Sequence, residues 1–143
     1  MLRLTSVFAS HALFQHSAPL TVKGECSASA VSVTIARGGA VLSSANGAPD
    51  GGRFSVVINT PEASFDPCTL TVTAGDEAVV LEDILFGELW LAAGQSNMEL
   101  PNLDHLEYES LRPRFAAAGI RAYQPTPIPI DRKSTRLNSS HAT

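Results

Sequence analysis

The sequence predicts a two-part α+β chain, in which an N-terminal antiparallel β-sandwich is followed by the start of an α/β domain. Two observations lead to this prediction. Up to about residue 81, apolar and polar side chains alternate with period two, which is typical of half-buried strands. From residue 82 onward the apolar residues form nearly unbroken runs, which are typical of strands buried on both faces of a parallel sheet.

The predicted β-sandwich covers residues 1–81. Its strands recur about every 10 to 12 residues, a spacing expected of an antiparallel sandwich. Glycine-containing turn sequences separate the apolar runs, and Gly, Pro and β-branched residues interrupt every stretch long enough for a helix. The inward-facing positions are expected to be Val31, Val33, Ile35, Phe54, Val56, Ile58, Leu70 and Val72.

The predicted α/β part covers residues 82–130. An apolar run at residues 84–86 is followed by a second at 89–93, which we expect to form a buried strand that ends at Gly94. An acidic stretch with helical spacing comes next, and another strand is expected to start at residue 120. Trp90 is interpreted as a core residue of the second run in preference to a sugar-stacking platform.

The composition excludes several classes of protein. The chain has 10 Lys and Arg against 14 Asp and Glu, without the basic stripe that phosphate binding needs, so we expect no nucleic-acid partner. No apolar run approaches the roughly 18 residues of a membrane-spanning helix, and the N-terminus lacks a signal-peptide pattern. We therefore expect no membrane partner and slightly favour the cytoplasm. Cys26 and Cys68 either pair or, as we favour, pack as two buried apolar side chains.

Residues 131–141, DRKSTRLNSSH, resemble one translated reading frame of a widely used sequencing-library adapter. We therefore treat residues 131–143 as a non-native tail, although composition alone also allows a natural disordered one. An adapter within the reading frame predicts that the natural gene product continues past Ile130. The part over residues 82–130 is then the truncated first strand, helix and strand of a larger domain.

Ser96 follows the glycine that ends the second apolar run, in the pentapeptide Gly94-Gln95-Ser96-Asn97-Met98. Catalytic groups gather at the carboxyl ends of strands in α/β sheets, where the first N–H groups of a helix can hold an oxyanion. A serine at this position is also a common helix N-cap, so the residues alone leave both roles open. The G-x-S-x-G elbow of the α/β-hydrolases is absent, because Met98 replaces its second glycine.

Residues 83–99, DILFGELWLAAGQSNME, resemble the nucleophile block of the sialate O-acetylesterase family, a branch of the SGNH (GDSL-like) hydrolases. The pentapeptide matches at every position, and members of that family also carry an N-terminal β-sandwich. The resemblance implies that Ser96 is the catalytic nucleophile, that its N–H is one oxyanion donor, and that Gly94, Gln95 and Asn97 are its motif neighbours. It also implies a glycine, an asparagine and an Asp-x-x-His pair further along, in blocks that this sequence does not contain.

Four histidines are candidates for the catalytic base. His11 and His16 fall in the first strands, His105 follows Ser96, and His141 belongs to the adapter-like tail. A triad base usually comes from a distant part of the chain, so we expect none of the four to serve.

The acidic residues Asp104, Glu107 and Glu109 could be a metal or glycosidase cluster. An acidic run at the start of a helix more often interacts with the helix dipole and with solvent. We therefore expect no metal and no cofactor.

Two hypotheses for the function remain. The first is a carboxylic ester hydrolase that removes O-acetyl groups from sialic acid or a related carbohydrate by acyl transfer through Ser96. Its partner is a small O-acetylated carbohydrate, and the present chain is expected to be an inactive portion of it. The second is a β-sandwich carbohydrate-binding or interaction module with a vestigial α/β tail.

Overall fold

The computed structural model describes residues 1–91, 109–110, 112–113 and 120–121. The strands within these residues form two sheets, one of three strands and one of five. In chain order they are Arg3–Leu4 (β1), Leu13–Gln15 (β2), Pro19–Glu25 (β3), Val31–Arg37 (β4), Ala40–Gly47 (β5), Arg53–Asn59 (β6), Ser64–Ala74 (β7) and Glu77–Gly87 (β8).

The three-stranded sheet has the order β1-β3-β6, and the five-stranded sheet has the order β2-β8-β7-β4-β5. Neighbouring strands are antiparallel except for β2, which runs parallel to β8 and pairs Phe14 with Phe86. This pairing joins the start of the chain to the end of the last strand. It also puts the residues after β2 beside the segment that leads towards residue 92.

The core lies between the two sheets, where the inward side chains of alternate residues meet. Val33, Ile35, Leu70 and Val72 are fully buried, and Phe54, Val56 and Ile58 are at most 4% exposed. Every inward position predicted from the period-two pattern is thus buried, and the β-sandwich is confirmed. Cys26 and Cys68 are free and buried, as favoured from the sequence.

The predicted α/β domain is not seen, and the α+β fold class is wrong for the residues that the structure describes, which are nearly all β. Residues 84–86 belong to β8, where Ile84 and Phe86 lie in the core and Leu85 is buried outside it. β8 has β2 and β7 on its two edges, and its residues 84–86 are buried within the part of the chain that the structure describes. The strand continues through the predicted boundary after residue 81, and the division into domains stays a prediction.

Residues 88–91 follow β8 without forming a strand. Leu89, Trp90 and Leu91 are 62%, 86% and 93% exposed, so the buried strand expected over residues 89–93 is wrong for its first three residues. The interpretation of Trp90 as a core residue is wrong as well, because its side chain is exposed. The last side chain of β8 that points into the core is that of Phe86. Ala92 and Ala93 lie outside the described residues.

Most of the predicted strand, helix and strand after Gly94 also lies outside the described residues, as does the adapter-like tail. Residues 109–110 and 112–113 are helical. In the part of the chain that the structure describes, there is no helix long and apolar enough to cross a membrane.

Candidate functional site

The predicted nucleophile Ser96 and its neighbours Gly94, Gln95 and Asn97 lie outside the described residues. What the structure does describe is the segment that leads to them, at the junction between β2 and the end of β8. Two clusters of polar side chains lie at this junction. One involves residues at the end of β2 and just after it, and the other involves a residue just before β2. Neither cluster was predicted from the sequence.

The first cluster holds residues 87–89 through backbone and side-chain hydrogen bonds. The His16 N–H donates to the Gly87 carbonyl at 3.1 Å, and the Gln15 side-chain carbonyl accepts from the Leu89 N–H at 2.9 Å. The Gln15 amide also donates to Glu88 Oε2 at 3.5 Å. Because one glutamine side chain contacts two successive residues, it fixes the direction in which the chain leaves β8.

His16 lies at the centre of this cluster, with its side chain 27% exposed. Its Nε2 is 3.0 Å from Glu88 Oε1, and its Nδ1 is 3.1 Å from the hydroxyl of Ser17. The hydrogen bond from His16, and to a smaller extent the one from Gln15, lowers the pKa of the Glu88 carboxyl. A serine, a histidine and a carboxylate are thus in contact, in the order found in hydrolytic triads.

The N–H groups next to the serine of this trio are already bonded within the fold. The Ser17 N–H donates to the Pro61 carbonyl, and the Ala18 N–H donates to Thr60 Oγ1, each at 2.9 Å. An acyl-transfer site needs N–H donors directed at the developing oxyanion, and these two point into the fold instead. We therefore assign the trio of Ser17, His16 and Glu88 to positioning the chain.

The second cluster joins His11, Asp83 and Arg121. Asp83 Oδ2 is 2.7 Å from His11 Nδ1, and Asp83 Oδ1 accepts from Arg121 Nη2 at 2.9 Å. Arg121 Nη1 also donates to the backbone carbonyls of Asp83 and Ala12. Residue 121 is thereby held against the sandwich, 38 positions after its carboxylate partner in the chain.

His11 and Asp83 also share an unusual backbone conformation, with φ angles of 67° and 54°. Residues other than glycine seldom adopt this left-handed region, at a cost of about 1–2 kcal/mol each. The side chains of the two residues are in hydrogen-bond contact with each other at this bend.

Asp83 gives the junction a measurable pH dependence. The hydrogen bond from His11, and to a smaller extent the one from Arg121, lowers the pKa of its carboxyl below the ordinary value of 3.8. The ionised carboxylate therefore stabilises the fold above pH 3.8, and this contribution is lost as the pH falls through the lowered pKa. We expect Asp83→Asn to unfold at lower urea than the wild type at pH 7, and the difference to shrink below pH 3.8.

Asparagine suits this test because it tolerates the left-handed backbone as well as aspartate does, so that mainly the charge changes. Asp66→Asn, at an exposed carboxylate on β7, is the matched control and should leave the midpoint nearly unchanged at both pH values. A difference for Asp83→Asn that is the same at pH 7 and below pH 3.8 would contradict the electrostatic explanation.

The structure locates only some of the other residues singled out in the sequence. His105, His141, Asp104 and Glu107 lie outside the described residues, whereas Glu109 is exposed in a helical stretch. No group of three or more His, Cys, Asp or Glu side chains suited to a metal occurs among residues 1–91 and the short described stretches after them.

Comparison with known proteins relates this chain to a carbohydrate esterase through its fold. No protein-family model and no curated protein matches the sequence. The crystal structure of a carbohydrate acetylesterase from Xanthomonas citri is similar, with a TM-score of 0.64 and 27% sequence identity. The match covers 77% of this chain and 24% of the acetylesterase, so the chain spans about a quarter of the length of that enzyme.

Proposed function

We propose that this chain is part of a serine esterase that removes O-acetyl groups from sialic acid or a related carbohydrate, with Ser96 as the nucleophile. The observation that carries the proposal is the structural similarity to a carbohydrate acetylesterase, at 27% identity over 77% of the chain. The pentapeptide at residues 94–98 adds the chemistry, since it matches the nucleophile motif of the sialate O-acetylesterase family at every position.

The proposed reaction is acyl transfer in two steps. Ser96 Oγ attacks the acetyl carbonyl carbon, its proton passes to a base, and N–H donors hold the oxyanion of the tetrahedral intermediate. The ester C–O bond then breaks, and the sugar oxygen leaves with that proton. Water attacks the acetyl-enzyme in the same way, which releases acetate and restores the Ser96 hydroxyl. No cofactor or metal is needed.

The base is proposed to come from a residue other than the histidines of the junction. Both ring nitrogens of His16 already have partners in Glu88 and Ser17, which leaves none to accept a proton from another serine. His11 is held by Asp83, and its side chain is 76% exposed, so the water exclusion that favours acyl transfer is lacking there. The base is therefore left to the Asp-x-x-His pair that the family resemblance implies.

Acetate release from defined substrates tests this function. We expect the natural gene product that contains residues 1–130 to release acetate from 9-O-acetyl-N-acetylneuraminic acid and from 4-nitrophenyl acetate. Acetylated xylan, a neutral polymer, is the comparison substrate that distinguishes a preference for sialic acid from general esterase activity. Absence of acetate release from all three would contradict the esterase proposal and favour the binding-module alternative.

A further inference from the structure

The outward face of the three-stranded sheet carries two rows of polar side chains. Arg3 pairs with Glu25, and Glu25 pairs with Arg53, so these three residues form one row across β1, β3 and β6. Lys23 pairs with Ser55 in the next row on the same face. Side chains paired directly across strands point to one face, and rows two residues apart lie about 6–7 Å from each other.

The two rows line an open groove of about 880 Å³. Thr5, Ser6 and Asp50 complete its polar wall from the loops next to the sheet. The groove belongs to the sheet that does not contain β8, so it is separate from the junction that leads to Ser96.

The charges of the groove are only partly balanced within the chain. Arg53 lies 3.7 Å from Glu25 in an exposed ion pair. Arg3 and Lys23 have no ion-pair partner among the residues that the structure describes, and both are exposed. Two cationic groups on neighbouring strands are thus available to an anion from solvent.

We propose that this groove binds a carboxylated sugar, that is, a glycan unit with one carboxylate and several hydroxyls. Arg3 and Lys23 would donate charge-assisted hydrogen bonds to the sugar carboxylate. Glu25 and Asp50 would accept from sugar hydroxyls, and the Ser and Thr hydroxyls of the wall can both donate and accept. This combination of donors and acceptors matches a ligand that is rich in hydroxyls and carries a single charge.

The same mixture of charges disfavours other anions. A nucleic acid or another polyanion would bring several charges against Glu25 and Asp50, which would repel them. A peptide or lipid would need large exposed apolar side chains, whereas the apolar side chains that line the groove are those of Leu4, Ala48 and Phe54, and Phe54 is only 4% exposed because it packs in the core. The groove therefore selects for a polar ligand of low charge.

Titration of the ¹⁵N-labelled chain with sugars tests the proposal. The probes are 3′-sialyllactose and monomeric galacturonic acid, which carry a single carboxylate on a sialic acid or a uronic acid, and lactose, the neutral counterpart of the first. We expect at least one acidic sugar to shift the amide signals of β1, β3 and β6, and lactose to leave them unchanged. The responding sugar identifies the source of the carboxylate.

Charge-removing variants connect the binding to the groove. Arg3→Gln and Lys23→Gln should each raise the Kd of the responding sugar about tenfold, with unchanged melting temperatures because both side chains are exposed. Arg112→Gln, at an exposed arginine in the described helical stretch and outside the groove, is the control and should bind like the wild type.

Three results would overturn the proposal. They are equal shifts with lactose, no shifts with either acidic sugar, and equal weakening by Arg112→Gln. None of these readouts depends on ester hydrolysis. A negative result here would therefore not contradict the esterase proposal, which is tested separately by acetate release.

Discussion

Ser96→Ala should lower the esterase activity of the natural gene product by about a thousandfold or more. Loss of the nucleophile from a serine hydrolase removes the acyl-enzyme route, and the remaining oxyanion donors provide only a small residual rate. The measurement is hydrolysis of 4-nitrophenyl acetate by purified wild type and variant. KM has to be measured together with kcat, since a nucleophile variant should lose kcat while substrate binding is kept.

Ser44→Ala is the matched control for this prediction, because Ser44 is exposed on β5, an edge strand of the five-stranded sheet. It should retain full activity. Undiminished activity in Ser96→Ala would contradict the nucleophile assignment, whatever the similarity of the pentapeptide. Equal losses in both variants would indicate damage to the fold instead.

The 143-residue chain by itself should hydrolyse the same ester very slowly. The family resemblance implies that the base and two oxyanion donors belong to blocks that this sequence does not contain, and a triad without its base loses several orders of magnitude in rate. Activity close to that of the natural gene product would instead place a base within these residues, with His105 as the first candidate.

The sandwich could be predicted from the sequence because its strands are half-buried. On β4, Val31, Val33 and Ile35 face the core, while Ser32 and Thr34 between them are partly exposed. In a sheet with one covered face, period two is imposed by burial itself, and a slip of one residue would turn every apolar side chain outward. The pattern therefore predicts both that the strand is half-buried and which of its faces is buried.

The end of β8 could not be predicted in this way, because an unbroken apolar run indicates burial on two faces without identifying what covers them. Ile84, Leu85 and Phe86 were interpreted as the first strand of another domain, whereas they complete the sandwich. Leu89 and Trp90 begin the second apolar run and yet are exposed. Hydrophobicity alone gave no sign of the point between Gly87 and Leu89 at which burial ends.

The polar junction was missed because its partners are far apart in the sequence. His11 and Asp83 are separated by 72 positions, as are His16 and Glu88. Both contacts exist because β2 pairs in parallel with β8, and a strand of three residues leaves too short a pattern to predict that pairing. The sequence identifies Asp83 and Glu88 as charged residues, but it does not identify the side chains that they contact.

Phe86→Ala should destabilise the chain by about 3–5 kcal/mol, the usual cost of removing a buried aromatic side chain. Phe86 is 2% exposed, and its ring centroid is 6.4 Å from that of Phe14 on β2. The substitution therefore opens a cavity in the core and removes a contact between β2 and β8. A small domain is typically stable by only about 5–15 kcal/mol, so a large part of the total is lost.

The chain contains its own control for this experiment, since Phe65 on the neighbouring strand β7 is 82% exposed. Phe65→Ala deletes the same atoms from the surface and should change the free energy of unfolding by less than about 0.5 kcal/mol. Urea unfolding followed by circular dichroism measures both variants, at a wavelength where the sheets dominate the signal. A small loss for Phe86→Ala, comparable to that for Phe65→Ala, would mean that the end of β8 is not packed into the sandwich. Residues 84–86 would then have to be buried by another part of the protein, as their unbroken apolar run first suggested.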